Sequence, residues 1–253
     1  MTIPLQSSVV YGPVASRRFG SSLGINLLPT DAKFCLSNCL YCQYGWTDRD
    51  EMRRSKLRPA RELVEEIERD FSARSFRGGP VDSITFSGNG EPTLHPELGK
   101  LIREIKPLRD RYFPKARLAI LSDSTRVHLS GVRDALGELD ERYMKFDAGD
   151  AGTYARINNP VVPIDWEALV RGLKALPEVT LQSLFITSPV DNSEGESLDR
   201  WLETVREIGP KAVYVYTVSR PPADSRVKPI DRNRLARIAR QVKKAAESPA
   251  FVY

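Results

Sequence analysis

The sequence predicts an α/β protein, a partial (β/α)6 barrel open on one side, as a single domain over residues 1–253. Three observations predict it. Strand-like and helix-like segments alternate about six times with short connections, which argues for a parallel sheet. Six such units are too few to close the usual eight-stranded barrel. A chain of 253 residues with 41% hydrophobic content has the material for one large core without crosslinks.

The elements follow in order. Residues 1–30 form an N-terminal extension with a short strand at Val9–Val14, the pair Arg17-Arg18, and a first barrel strand over Leu23–Leu28 that Pro29 ends. The adjacent arginines are suited to orient a carboxylate or phosphate, or sit at the surface beside a hairpin. Residues 31–47 are a long loop. A helix starts at Pro59, with Leu63, Val64, Ile67 and Phe71 at helical spacing, and Gly78-Gly79-Pro80 stops it. Val81–Phe86 is the second strand, followed by the loop Ser87–Thr93 and a helix that His95 opens. Ala116–Leu121 is the third strand, Gly131–Leu139 the next helix, and Tyr143–Asp147 the fourth strand. Residues 154–160 form a longer loop or short helix. Asp165 caps the helix that follows. Val179–Thr187 and Ala212–Val218 are the fifth and sixth strands, separated by a helix carrying Leu198, Trp201, Leu202 and Val205. The last helix runs over residues 231–247.

Chemistry concentrates in the 31–47 loop. Cys35, Cys39 and Cys42 are its three cysteines, and the chain has no others. Three thiolates at this spacing can hold three irons of a cubane [4Fe–4S] cluster, leaving one iron without a protein ligand. An open position marks a catalytic rather than a structural metal site. A disulfide framework is disfavoured by the odd count, and a zinc site needs a fourth ligand that only His95 or His128 supplies as an imidazole. Leu40 and Tyr41 are placed to shield a cluster from water. The second motif, Gly88-Asn89-Gly90-Glu91, comes off the second strand: its glycines let backbone approach a ligand, and Glu91 lies at the strand's carboxyl end. Ser122 and Asp123 end the third strand, where hydroxyl and carboxylate can hold a ribose or an amino-acid head group. Lys145 shares a strand face with Asp147 and is read as pointing inward. Gln182 is polar within an apolar strand and needs a partner if buried.

The C-x3-C-x2-C spacing with Tyr41 before the last cysteine resembles the signature of the radical S-adenosylmethionine (SAM) superfamily. Gly12-Pro13-Val14, Ser16-Arg17-Arg18, Ser22-Leu23-Gly24, the Gly-Asn-Gly-Glu-Pro-Thr loop, Arg156-Ile157-Asn158 and Tyr216-Thr217 resemble its wyosine-synthase-like iron–sulfur oxidoreductase subgroup. The resemblance implies the same partial barrel and an open iron chelated by the amino and carboxylate groups of SAM. It implies that Cys35, Cys39 and Cys42 ligate iron. Gly88, Asn89, Gly90 and Glu91 then hold the methionine end of SAM, with Tyr41, Ser122, Asp123, Lys145 and Gln182 as further cofactor contacts. It also implies a one-electron donor such as flavodoxin or ferredoxin.

The net charge of +5 fits an anionic substrate, including a tRNA base, as well as a solvated basic surface. A small metabolite or nucleotide is an equal candidate. No basic segment leads into an apolar core at the N-terminus, and no apolar run approaches ~18 residues. Those features and reduced cysteines predict a cytoplasmic protein without a membrane partner. The alternatives are a non-catalytic zinc- or RNA-binding module and a glycyl-radical activating enzyme.

Overall fold

A computed structural model describes residues 2–253. A hairpin comes first: β1 (Val10–Ser16) pairs antiparallel with β2 (Gly20–Ile25). The short helix α1 (Arg49–Arg54) ends the long loop, and α2 (Ala60–Arg77) leads to β3 (Ser83–Phe86). All four residues of β3 are buried, as a strand covered on both faces requires. A single 3₁₀ turn (Pro92–Leu94) precedes α3 (Leu98–Tyr112), followed by β4 (Arg117–Ser122), α4 (Ser130–Gly137), β5 (Glu141–Lys145) and α5 (Ala151–Asn158). Then come α6 (Trp166–Lys174), β6 (Thr180–Ser188), α7 (Gly195–Ile208), β7 (Ala212–Thr217), β8 (Lys228–Pro229), α8 (Arg232–Ala246) and β9 (Ala250–Val252).

The sheet runs β1-β2-β3-β4-β5-β6-β7-β9, with β8 paired antiparallel to β6. Every pairing from β2 to β7 is parallel, which gives the six barrel strands. Among the described residues β1 does not pair with β7 or β9, so the sheet stays open. The core fills with helix and strand faces together: Leu63, Ile67 and Phe71 from α2, Leu101, Ile102 and Ile105 from α3, and Trp201 from α7 are fully covered. The Trp201 indole N–H donates to the Phe146 carbonyl at 3.0 Å, so its one polar atom is satisfied.

Two elements depart from expectation. The first barrel strand ends at Ile25; the Asn26 N–H still donates to the Val9 carbonyl, while its side-chain amide turns to the Leu28 carbonyl and the Asn89 N–H. His95 does not open a helix; its Nε2 meets the Arg58 carbonyl at 2.9 Å and its Nδ1 accepts from the Glu97 N–H. Of the two forms expected for the 154–160 segment it takes the short helix, α5, capped by the Asp150 carboxylate on the Thr153 N–H. Asp165 caps α6 as expected, accepting from the Ala168 N–H. No helix is long and apolar enough to cross a membrane among the described residues.

Candidate iron–sulfur and cofactor site

The cysteine loop is fixed at both ends by backbone bonds. On one side the Phe34 N–H donates to the Asn89 carbonyl (2.8 Å), and the Glu91 N–H donates to the Phe34 carbonyl (3.0 Å). On the other side the Asn38 and Leu40 N–H groups donate to Asn159 and Ile157 at the end of α5, each at 3.0 Å. The loop therefore bridges the carboxyl end of β3 and the last turn of α5. This is the edge of the sheet where barrel enzymes keep their chemistry. Inside the loop, Lys33 is buried and its ammonium donates to the carbonyls of Ser37 (3.3 Å) and Gly45 (2.7 Å).

All three thiols are free. The Ser37 N–H points at Cys35 Sγ (3.5 Å), and Asn158 Nδ2 donates to Cys39 Sγ (3.4 Å). Burial, with the neighbouring Cys42 and Asp147, pushes the Cys39 thiol up to about 11, while Lys33 and Asn158 pull it down. Cys35 is likewise pushed up, by burial and by Asp123. Both thiols are thus neutral in the metal-free chain, and binding metal here releases protons. The three sulfurs sense one another, being on one short loop.

Glu91 is buried beside this loop and accepts four hydrogen bonds. They come from the Thr93 N–H and hydroxyl (2.9 and 2.6 Å), the Ser122 hydroxyl (2.9 Å) and the Asp123 N–H. Burial and the Asp123 carboxylate push it up to about 8 against those donors. Asp123 closes its own turn on Thr125 and also accepts from Ser37 Oγ at 3.0 Å, which ties the end of β4 to the cysteine loop. The glycines also serve contacts within the chain. Gly90 has φ +151°, and a Cβ there would lie 1.9 Å from the Phe34 carbonyl oxygen. At Gly88 a Cβ would meet the Asn26 side chain. The close approach is between the two loops. Asn89 is fully buried, its amide joined to Gln6 and to the Pro29 carbonyl.

A second polar knot lies at the end of β5. The Asp147 carboxylate is buried and accepts from Lys145 Nζ (2.8 Å), Asn158 Nδ2 (2.9 Å), the Leu184 N–H (2.8 Å) and the Tyr41 hydroxyl. Lys145 Nζ also donates to the Tyr216 hydroxyl at 2.8 Å and lies over the Tyr41 ring. Burial opposes the Lys145 charge, yet Asp147 and Tyr216 outweigh it and raise its pKa. Lys145 and Asp147 point inward, as their shared face predicts. Tyr41 joins the cysteine loop to this knot, and Leu40 packs with Leu184, Ile186 and Val227. Gln182 is buried and finds its partner in Arg18, whose Nη1 donates to the amide oxygen. Asn158 is the organising residue that strand and helix periods do not reveal. Its place in Arg156-Ile157-Asn158 was the one signal.

A cubane cluster fits these residues. The donor set is three thiols, two of which already receive N–H bonds of the kind that tune iron–sulfur centres. Asn158 Oδ1 is buried without a partner on the same side chain that touches Cys39. Both imidazoles, the fourth ligands a zinc site would draw on, are engaged elsewhere, His95 with Arg58 and His128 with Thr125.

Comparison with known proteins agrees with this geometry. The profile of the radical SAM superfamily matches residues 31–208. A UPF0026 protein of Methanocaldococcus jannaschii is 30% identical over 226 residues, covering 88% of this chain and 67% of that protein. A Brachyspira hyodysenteriae protein named GTPase Obg is 30% identical over 231 residues, 90% of this chain but 32% of its own length. The chain therefore spans between a third and two thirds of these relatives. Among solved structures, TYW1 with a lysine–pyruvate adduct bound has a TM-score of 0.63 at 16% identity, covering 88% of this chain and 73% of that one. A radical SAM methyltransferase from Sphaerobacter thermophilus has a TM-score of 0.63 at 13% identity, covering 92% of this chain and 65% of that one. At such identities the likeness is one of fold. The chain, with its three-thiol loop on the carboxyl edge of six parallel strands, belongs to the radical SAM superfamily.

Proposed function

We propose that this chain reductively cleaves SAM at a [4Fe–4S] cluster held by Cys35, Cys39 and Cys42. The observation that carries the reading is the loop of three free thiols bonded directly to the loop that presents Glu91. Held by these three thiols, the cluster would supply the one electron that reductive cleavage of the SAM carbon–sulfur bond requires, the chemistry that yields methionine and a 5′-deoxyadenosyl radical able to take hydrogen from substrate.

The chain's own residues position the partners. Glu91, aimed by Thr93, Ser122 and the Asp123 N–H, offers a carboxylate to the cationic amine of SAM. A cation there also favours the ionised form that burial disfavours. Asp147 keeps Lys145 as an ammonium and orients Asn158 toward Cys39. Leu40 and Tyr41 exclude water from the β6 side of the loop. A flavodoxin or ferredoxin is the class of donor that supplies the electron. The substrate classes that fit are a small metabolite, a nucleotide or a tRNA base.

The test is anaerobic reconstitution with iron and sulfide, followed by SAM and reductant. About four irons per chain and formation of 5′-deoxyadenosine are expected. Replacing Cys39 by Ala should abolish both; cleavage retained in that variant, or zinc in a colourless protein, would rule the reading out.

A further inference from the structure

The turn between β1 and β2 carries Arg17, Arg18 and Phe19 across the open side of the sheet. Arg17 Nη2 reaches Ser219 Oγ (3.4 Å) beyond β7, and Arg18 Nη1 reaches Gln182 on β6. The Arg18 guanidinium carbon lies 4.8 Å from the Tyr216 ring centroid and 5.3 Å from that of Phe19. Phe19 packs on Tyr143 at 4.5 Å, and Tyr143 on Tyr214 at 5.5 Å, so aromatic rings wall this part of the barrel interior.

Within this wall the charges are unequally matched. Lys145, on the hydroxyl of the same Tyr216, is neutralised by Asp147. Arg18 is half-buried and has no carboxylate within ion-pair distance among the described residues. Its Nη1–Gln182 bond is the guanidinium's one hydrogen bond among those residues. The chain's structural arginines differ. Arg109 is buried and bonded to Asp110, Asp140 and the Ala116 carbonyl. Arg142 is buried against the Pro177 and Leu139 carbonyls. Arg18 keeps a free fork of N–H donors, steadied by a ring below and a buried carboxamide beside it. The Gln182 amide oxygen is used by Arg18, which turns its NH2 group into one more donor.

We propose that Arg18 and Gln182 form an oxyanion subsite in the barrel interior that binds a carboxylate or phosphate group of the substrate. A planar guanidinium fork matches either group with two parallel hydrogen bonds, and its desolvation against Tyr216 and Phe19 strengthens them. The identification of this anion with the reacting molecule rests on the radical SAM reading above.

Isothermal titration of the reconstituted chain with inorganic phosphate, and separately with acetate, at constant ionic strength tests the subsite. Saturable one-site binding of at least one is expected. Preference for phosphate points to a phosphate-bearing substrate, and preference for acetate to a carboxylic acid. Arg18→Gln should weaken that binding about tenfold or more, the cost of a charged hydrogen bond. Gln182→Leu leaves Arg18 in place and should weaken it several-fold, which keeps the test open if Arg18→Gln does not fold. No saturable binding of either anion, or affinity unchanged in either folded variant, overturns the proposal. SAM cleavage measured on the same wild-type preparation separates the two readings. Anion binding without cleavage sinks the radical reading alone, and cleavage without anion binding sinks the subsite alone.

Discussion

Gly90 and Phe34 are in backbone contact: a Cβ on Gly90 would lie 1.9 Å from the Phe34 carbonyl oxygen, and the two residues form a parallel bridge. Phe34 directly precedes Cys35, so Gly90 sets how closely the cysteine loop seats on the sheet. Gly90→Ala must move Phe34 backbone, and at φ +151° it adds backbone strain of about 1–3 kcal/mol. The variant is expected to melt lower and to bind well under the wild-type iron after reconstitution. Wild-type iron content in Gly90→Ala would show that this contact does not position the loop.

Lys33 is a cation closed inside the loop by the Ser37 and Gly45 carbonyls, and it favours thiolates at Cys35 and Cys39. Lys33→Met keeps the stem and removes the charge. Reconstituted Lys33→Met should reduce at a more negative potential than wild type, because an anionic centre loses a neighbouring positive charge. Potentiometric titration followed by electron paramagnetic resonance reads the shift, and a potential equal to or above wild type contradicts the electrostatic role.

Glu91 gives the metal-free chain a pH dependence. Its folded value, about 8, stands above the ordinary 4.5, so the folded state holds this proton more tightly than the unfolded state. The stability it contributes is complete below pH about 4.5 and is lost as pH rises through about 8. Urea melts from pH about 5 to about 9 should show stability falling with a slope of up to about one proton. Glu91→Gln should flatten that slope while lowering stability at pH 5, because the carboxamide NH2 cannot accept from Asp123 or Thr93. A slope unchanged by the substitution would assign it to other groups.

Asp147 is the counter-ion of Lys145 and the anchor of Tyr41 and Asn158. Asp147→Ala strands a mostly buried ammonium and should cost about 3 kcal/mol, toward the low end for a broken buried pair because Lys145 is partly exposed. The double variant Asp147→Ala/Lys145→Met should recover part of that loss in chemical denaturation. A double variant no more stable than Asp147→Ala would mean that the charge pairing is not what the carboxylate contributes.

The six barrel strands were legible because buried parallel strands read as short apolar β-branched runs, and each lies within a few residues of where the sequence puts it. β9 was not, since Ala250–Val252 is too short to show a period and its pairing with β7 is long-range. Cys35, Cys39, Cys42 and Glu91 stand out as candidates through local motifs. The bond partners do not: Asn158 meets Asp147 and Cys39, and Arg18 meets Gln182, only through the tertiary curl of the open sheet. The Gly-Asn-Gly loop was legible as a place of close backbone approach; that Gly90 makes room for Phe34 was not, because the contact joins distant segments that no local pattern encodes.

Between its first and last edges this barrel has no shared backbone ladder among the described residues; Arg17, Arg18 and Phe19 reach across with side chains. The two flanks of the barrel therefore meet through the side chains of one turn, Phe19 on Tyr143 among them, and not through strand pairing.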